Sequence, residues 1–89
     1  MNIKDRLSMI NEQQLDTDTF LLLDRIQNMA PDQQVATTTT LFLLLTQAYQ
    51  LRPHEVLDTV SRAMKDVDRK DRPQIRALRQ YIQEEIIHG

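Results

Sequence analysis

Few side chains in this sequence have the type and spacing that catalysis or metal binding requires. His54 and Asp58 are four residues apart, so one helical turn brings them together, but a zinc site usually needs at least three protein ligands. The chain has no cysteine, no glycine-rich phosphate loop and no serine, histidine and aspartate arrangement for nucleophilic attack. The sequence therefore predicts a non-enzymatic protein that uses neither a cofactor nor a metal.

Arginines in the C-terminal part of the chain are the strongest candidates for binding chemistry. Segment 62–79 carries seven basic residues against three acidic ones, whereas residues 1–61 carry eight acidic residues against four basic ones. The planar guanidinium group matches the geometry of carboxylates and phosphates. Arg72, Arg76 and Arg79, together with Gln83, recur at helical spacing along one stripe. The predicted partner-binding residues are Arg69, Arg72, Arg76, Arg79 and Gln83.

Three interpretations of this arginine stripe are open. In the first, the arginines solvate the outer face of a helix and pair with Glu84, Glu85 or Asp71. In the second they bind an acidic protein surface, and in the third they bind nucleic acid. Tyr81 is the only aromatic residue near the stripe, which argues against base stacking. We therefore expect a small regulator, adaptor or inhibitor that binds another protein, with a nucleic-acid-binding accessory protein as the alternative.

The segment 45–56 resembles the turn region of a helix-turn-helix, a motif that reads the DNA major groove. Gln50 stands where the turn usually has glycine. The helix that would enter the groove carries Glu55 and Asp58, and their carboxylates would face the phosphates. We interpret the segment as an ordinary connection between two helices of a bundle.

The elements that carry these residues are predicted to be helices. Pro31, Pro53 and Pro73 each stand where a helix can begin, because the first helical turn tolerates the missing N–H of proline. The run 16–18, Asp-Thr-Asp, is a start signal for the second helix. Apolar periodicity places five helices at about residues 2–13, 18–29, 32–50, 53–67 and 73–87. The predicted fold is all-α, a compact bundle of about five short helices in a single domain over 1–89.

The third predicted helix, at about 32–50, is expected at the centre of the bundle. Residues 33–51 carry no charge, and as a helix they would be about 28 Å long, close to the thickness of a bilayer core. Only ten of these nineteen residues are apolar, so a buried central helix is favoured over a membrane span. A strand is the other alternative, but no second segment alternates with the period of a strand that could pair with it. We expect Leu45 and Val60 to be nearly fully buried.

Composition places the chain among soluble, cytoplasmic proteins. Of its 89 residues, 40% are apolar and 27% are charged, and the N-terminal residues lack the apolar run of a signal peptide. A domain of this size buries only about 60–65% of the surface of its unfolded chain, which limits the stability of a lone copy.

Three leucines fall outside the predicted apolar faces. Leu21 shares a side of its helix with Arg25, and Leu43 and Leu44 lie away from the main apolar arc of the third helix. We predict that Leu21, Leu43 and Leu44 form an interface, either in a homodimer or with another protein that has an apolar surface. The alternative is that the five helices of one monomer pack around them.

Overall fold

The structure, a computed structural model, describes residues 2–65 and 73–87. Every regular element within these residues is a helix, so the predicted all-α class with about five helices is confirmed. In chain order the helices are α1 (Ile3–Leu7), α2 (Glu12–Ile26), α3 (Pro31–Ala48), α4 (Pro53–Lys65) and α5 (Pro73–Tyr81), and α5 continues as a π-helix over Ile82–Ile87.

The start of α2 differs from the prediction. The side-chain oxygen of Asn11 accepts a hydrogen bond from the backbone N–H of Gln14 at 2.9 Å, which makes Asn11 the N-cap of this helix. The run 16–18, predicted as the helix start, lies inside α2 instead. Asn11 lies about one and a half helical turns before the run 16–18. Because its side chain already satisfies a backbone N–H of the first turn, the helix begins at this earlier position.

The starts of α3, α4 and α5 agree with the prediction. Pro31, Pro53 and Pro73 are their first residues. The threonine and leucine run of α3 is helical throughout, which excludes the strand alternative for this segment.

A Schellman motif closes the C-terminal end of α3. The N–H of Leu51 donates to the carbonyl oxygen of Thr46 at 2.8 Å, and the N–H of Gln50 donates to that of Gln47 at 3.2 Å. Gln50 has a φ of 56°, the left-handed conformation that glycine usually supplies at this position. The chain therefore leaves α3 through a helix-ending motif that has no glycine.

Burial of apolar side chains, within the described part of the chain, is concentrated between α2 and α5. Ile75 and Leu78 on α5 are 8% and 6% exposed, and Leu23 on α2 packs against them. Across the same pair of helices, the Tyr81 hydroxyl donates to Oε1 of Gln27 at 2.7 Å. The predicted apolar stripe of the fifth helix is confirmed at Ile75 and Leu78, and these contacts hold α5 against α2.

Polar contacts join other helices. The Gln34 amide on α3 donates to the carbonyl oxygen of Ile26 at 3.0 Å, which satisfies one acceptor at the end of α2. Lys4 on α1 and Glu55 on α4 form an ion pair, with 3.0 Å between Nζ and Oε2. The hydrogen bond and the charge of Lys4 lower the pKa of the Glu55 carboxyl below its ordinary value, and the charge of Arg52 adds to this effect.

The predicted burial of α3 is wrong. Thr46 is its one buried residue, Leu45 is 47% exposed, and Val60 on α4 is 37% exposed, so neither of these two residues is nearly fully buried. The described helices pack mainly as two pairs, α2 with α5 and α1 with α4, and neither pair covers the apolar side chains of α3. Over residues 2–65 and 73–87, no helix combines the length and the hydropathy that crossing a membrane requires.

Candidate interaction surfaces

The arginine stripe is partly described and lies on the surface. Arg76 and Arg79 on α5 and Gln83 on its π-helical continuation are exposed. Arg69 and Arg72, the other two predicted partner-binding residues, lie outside the described residues. The buried side chains of Ile75 and Leu78 hold the same helix against α2, so the stripe is carried by the best-packed element in the described part of the chain.

The predicted pairing of the stripe with nearby acids is not seen at Arg79. No ion pair joins Arg79 to another described residue, and the Glu84 carboxylate instead accepts a hydrogen bond from the Gln80 amide at 3.1 Å. Asp71, another predicted partner, lies outside the described residues. At Arg79, therefore, a guanidinium group is presented to solvent on a helix that is fixed in position.

Leu21 lies at the edge of a groove between α2 and α5. The groove has a volume of about 380 Å³, and its walls include Phe20, Leu78 and Tyr81. The rings of Phe20 and Tyr81 are 6.4 Å apart and tilted by 57°. Sequence reasoning missed this groove because its two aromatic walls are far apart in the chain, and no local pattern indicates that they meet.

Leu43 and Leu44 lie on α3 and are exposed, and Leu41 and Leu45 of the predicted apolar arc are exposed to a similar extent. Leu43 lines an open groove of about 540 Å³ between α3 and α4, with Phe42 and Leu57 as neighbours. Leu44 is 57% exposed and, with Leu41, lines a shallow hollow on the outer side of α3. The structure therefore keeps Leu43 and Leu44 together on one helix and places Leu21 at a separate site on α2.

Metal binding has no support in the described part of the chain. No three histidine, aspartate or glutamate side chains there are grouped closely enough to hold an ion. His54 lies at the exposed edge of the groove between α3 and α4.

Comparisons of this chain with models of protein families, with curated proteins and with solved structures found no match.

Proposed function

We propose that this protein is a non-enzymatic regulator, adaptor or inhibitor that acts in the cytoplasm by binding another protein through the outer face of α5. The observation that carries the proposal is the exposed position of Arg76, Arg79 and Gln83 on a helix that Ile75 and Leu78 anchor against α2. The absence of cysteine from the chain fits a reducing compartment.

Anchoring matters because binding a partner costs less when the contacting groups are already in place. Ordering a loosely held side chain or loop at an interface costs free energy on binding. A helix that is already fixed lost this conformational entropy when the chain folded. From such a helix, a guanidinium group can form paired hydrogen bonds with a carboxylate. An acidic protein surface is therefore the partner chemistry that fits this face.

Long-range electrostatics supports the same partner. Residues 1–61 carry an excess of acidic groups, whereas segment 62–79 carries the excess of basic ones. An acidic partner would be repelled by the first region and attracted to the second, so encounters would be steered toward α5.

A specific contact favours protein over nucleic acid as the partner. Tyr81, the aromatic residue nearest to the arginines, donates its hydroxyl proton to Gln27 and has its ring beside Phe20. A ring held toward α2 is not available for stacking on bases next to the arginine stripe. Nucleic-acid binding through segment 62–79 is therefore the alternative function, and the binding experiment must distinguish it from protein binding.

The proposal is tested with the double variant Arg76→Gln and Arg79→Gln. Wild-type protein immobilised at physiological salt is used to isolate the partner from an extract of its source cells, and the purified partner is then titrated against both proteins. We expect the double variant to bind at least tenfold more weakly, mainly through a slower association rate, because the lost charges no longer steer the encounter. Its unfolding midpoint should change little, since exposed charges contribute about 0–1 kcal/mol.

A second double variant, Arg6→Gln and Arg25→Gln, is the matched control, since both arginines are exposed and lie outside segment 62–79. It makes the same change in net charge and should keep wild-type affinity within about threefold. Equal loss of affinity in the two double variants would contradict the proposed face. Capture of nucleic acid, with affinity that falls steeply as salt rises, would replace this proposal by the alternative.

A further inference from the structure

The groove between α2 and α5 combines apolar walls with a buried carboxylate. Its volume is about 380 Å³, which is within the size range of sites that hold small molecules. Phe20, Leu78 and Tyr81 supply apolar wall, and Asp16 of α2, which is only 3% exposed, also lines the groove. Charged side chains are rarely buried to this extent, so the Asp16 carboxylate decides which ligand chemistry the groove accepts.

The aromatic walls of the groove are held in place by contacts within the protein. The Tyr81 hydroxyl donates to Oε1 of Gln27 at 2.7 Å, and Tyr81 and Phe20 make a tilted ring contact. Because the rings are not stacked face to face, Phe20 stays half-exposed and both rings still line the groove. A ligand therefore meets a surface that is already formed, which lowers the entropic cost of binding.

Three polar groups of the groove present hydrogen-bond acceptors. The Thr17 hydroxyl donates to the carbonyl oxygen of Gln13 at 3.0 Å, and the Tyr81 hydroxyl donates to Gln27, so the oxygen of each hydroxyl is left to accept. The Asp16 carboxylate is the third acceptor. Asp16 also interacts with another group of the protein, but a carboxylate has about four acceptor sites, so an internal contact and a ligand can share it.

We propose that this groove binds a small molecule in which a protonated amine is attached to an aromatic body. The ammonium group donates to the Asp16 carboxylate, and the aromatic body covers the exposed part of Phe20 and the ring of Tyr81. Ammonium groups are also attracted to aromatic faces. An anionic ligand is disfavoured, because no lysine or arginine is among the described residues that line the groove.

The site is distinct from the arginine stripe, so the inference goes beyond the proposed function and does not depend on it. On α5 the groove is lined by Gln74, Ala77 and Tyr81, whereas Arg76 and Arg79 lie on the opposite side of the helix. The size of the groove favours a small molecule over a partner helix, because a helix is about 10 Å wide and does not fit inside it.

Titration of the wild-type protein with three compounds of similar size tests the proposal, with backbone amide chemical shifts in NMR as the measurement. The compounds are phenethylamine, which is protonated at neutral pH, neutral phenethyl alcohol, and anionic phenylacetate. We expect phenethylamine to shift the amides of Asp16, Phe20 and Tyr81 with a Kd of about 1 mM. Phenethyl alcohol should bind about tenfold more weakly, because it lacks the charge, and phenylacetate more weakly still.

Asp16→Asn removes the charge with little change of shape. We expect it to reduce the preference for phenethylamine over phenethyl alcohol from about tenfold to less than about twofold. A preference that survives in Asp16→Asn overturns the proposal, as does a wild-type protein that phenethylamine does not shift at about 20 mM or that binds phenylacetate equally well.

A groove-filling variant keeps the test decisive if Asp16→Asn does not fold. Ala77 is exposed on α5 and lines the groove, so Ala77→Phe places a ring in the space that the ligand needs. Ala36→Phe is the matched control, because Ala36 is also exposed on a helix but lies on α3. Ala77→Phe should abolish the binding of phenethylamine and Ala36→Phe should leave it unchanged. Equal binding by the two variants places the amine elsewhere and overturns the proposal.

Discussion

Gln50 has a backbone conformation that is unusual for a residue with a side chain. Its φ of 56° ends α3 in the left-handed conformation, which costs a residue with a Cβ about 1 kcal/mol more than glycine. We expect Gln50→Gly to relieve this cost and to raise the free energy of unfolding by about 0.5–1 kcal/mol, even though glycine adds freedom to the unfolded chain. Urea denaturation followed by circular dichroism, at one fixed protein concentration, measures the change.

Gln47→Gly is the control for this residue, because Gln47 is also an exposed glutamine but lies within α3. Glycine at a helical position should lower the free energy of unfolding by about 1 kcal/mol. If both glycine variants were destabilised to the same extent, position 50 would not have the left-handed conformation in solution.

At the scale of single elements, α5 is the helix whose position depends most on a few buried side chains. Leu78 is 6% exposed, so Leu78→Ala removes buried methyl groups and leaves a cavity between α5 and α2. We expect it to lower the free energy of unfolding by about 2–4 kcal/mol, as measured by chemical denaturation. The arginine stripe would then lose its anchored support, so partner binding should weaken although no arginine has changed.

Leu21→Ala provides the comparison for α5. Leu21 borders the same groove but is exposed, so its truncation should change the free energy of unfolding by less than about 0.5 kcal/mol. Similar losses in the two alanine variants would show that α5 is not seated on α2 through Leu78.

At the scale of the whole molecule, the exposed apolar side chains of the described helices predict that folding and self-association are coupled. A chain that covers its apolar faces only in the dimer should unfold as it dissociates, so its stability depends on protein concentration. A tenfold rise in concentration should raise the Tm by roughly 3–6 °C. Thermal unfolding at several concentrations tests this. Leu44→Lys places a charge among the exposed leucines of α3 and should lower the Tm at every concentration. A wild-type Tm that is constant over a hundredfold range would show that the isolated chain is sufficient for the fold.

The sequence by itself determined most of the helical elements, although α1 ends at Leu7 and not at about residue 13 as predicted. The prolines at 31, 53 and 73 mark three helix starts, and the spacing of Ile75 and Leu78 identifies the buried side of α5. These signals are local: a cap, a fixed φ or an apolar repeat acts over one or two turns and needs no information about the rest of the molecule. Because such signals are local, they also explain the wrong start predicted for α2. Asn11 and the run 16–18 are both start signals within one short segment, and the helix uses only Asn11.

Only the tertiary structure decided which apolar faces are covered. The sequence of α3 is rich in leucine, and that richness predicts burial equally well against its own chain or against another one. The structure pairs α2 with α5 and α1 with α4, which leaves Leu44 and Leu45 exposed and brings Phe20 beside Tyr81. Such choices depend on contacts between residues far apart in the chain. The free energy of these contacts depends on the arrangement of all the helices, so it cannot be read from the residue pattern of one segment.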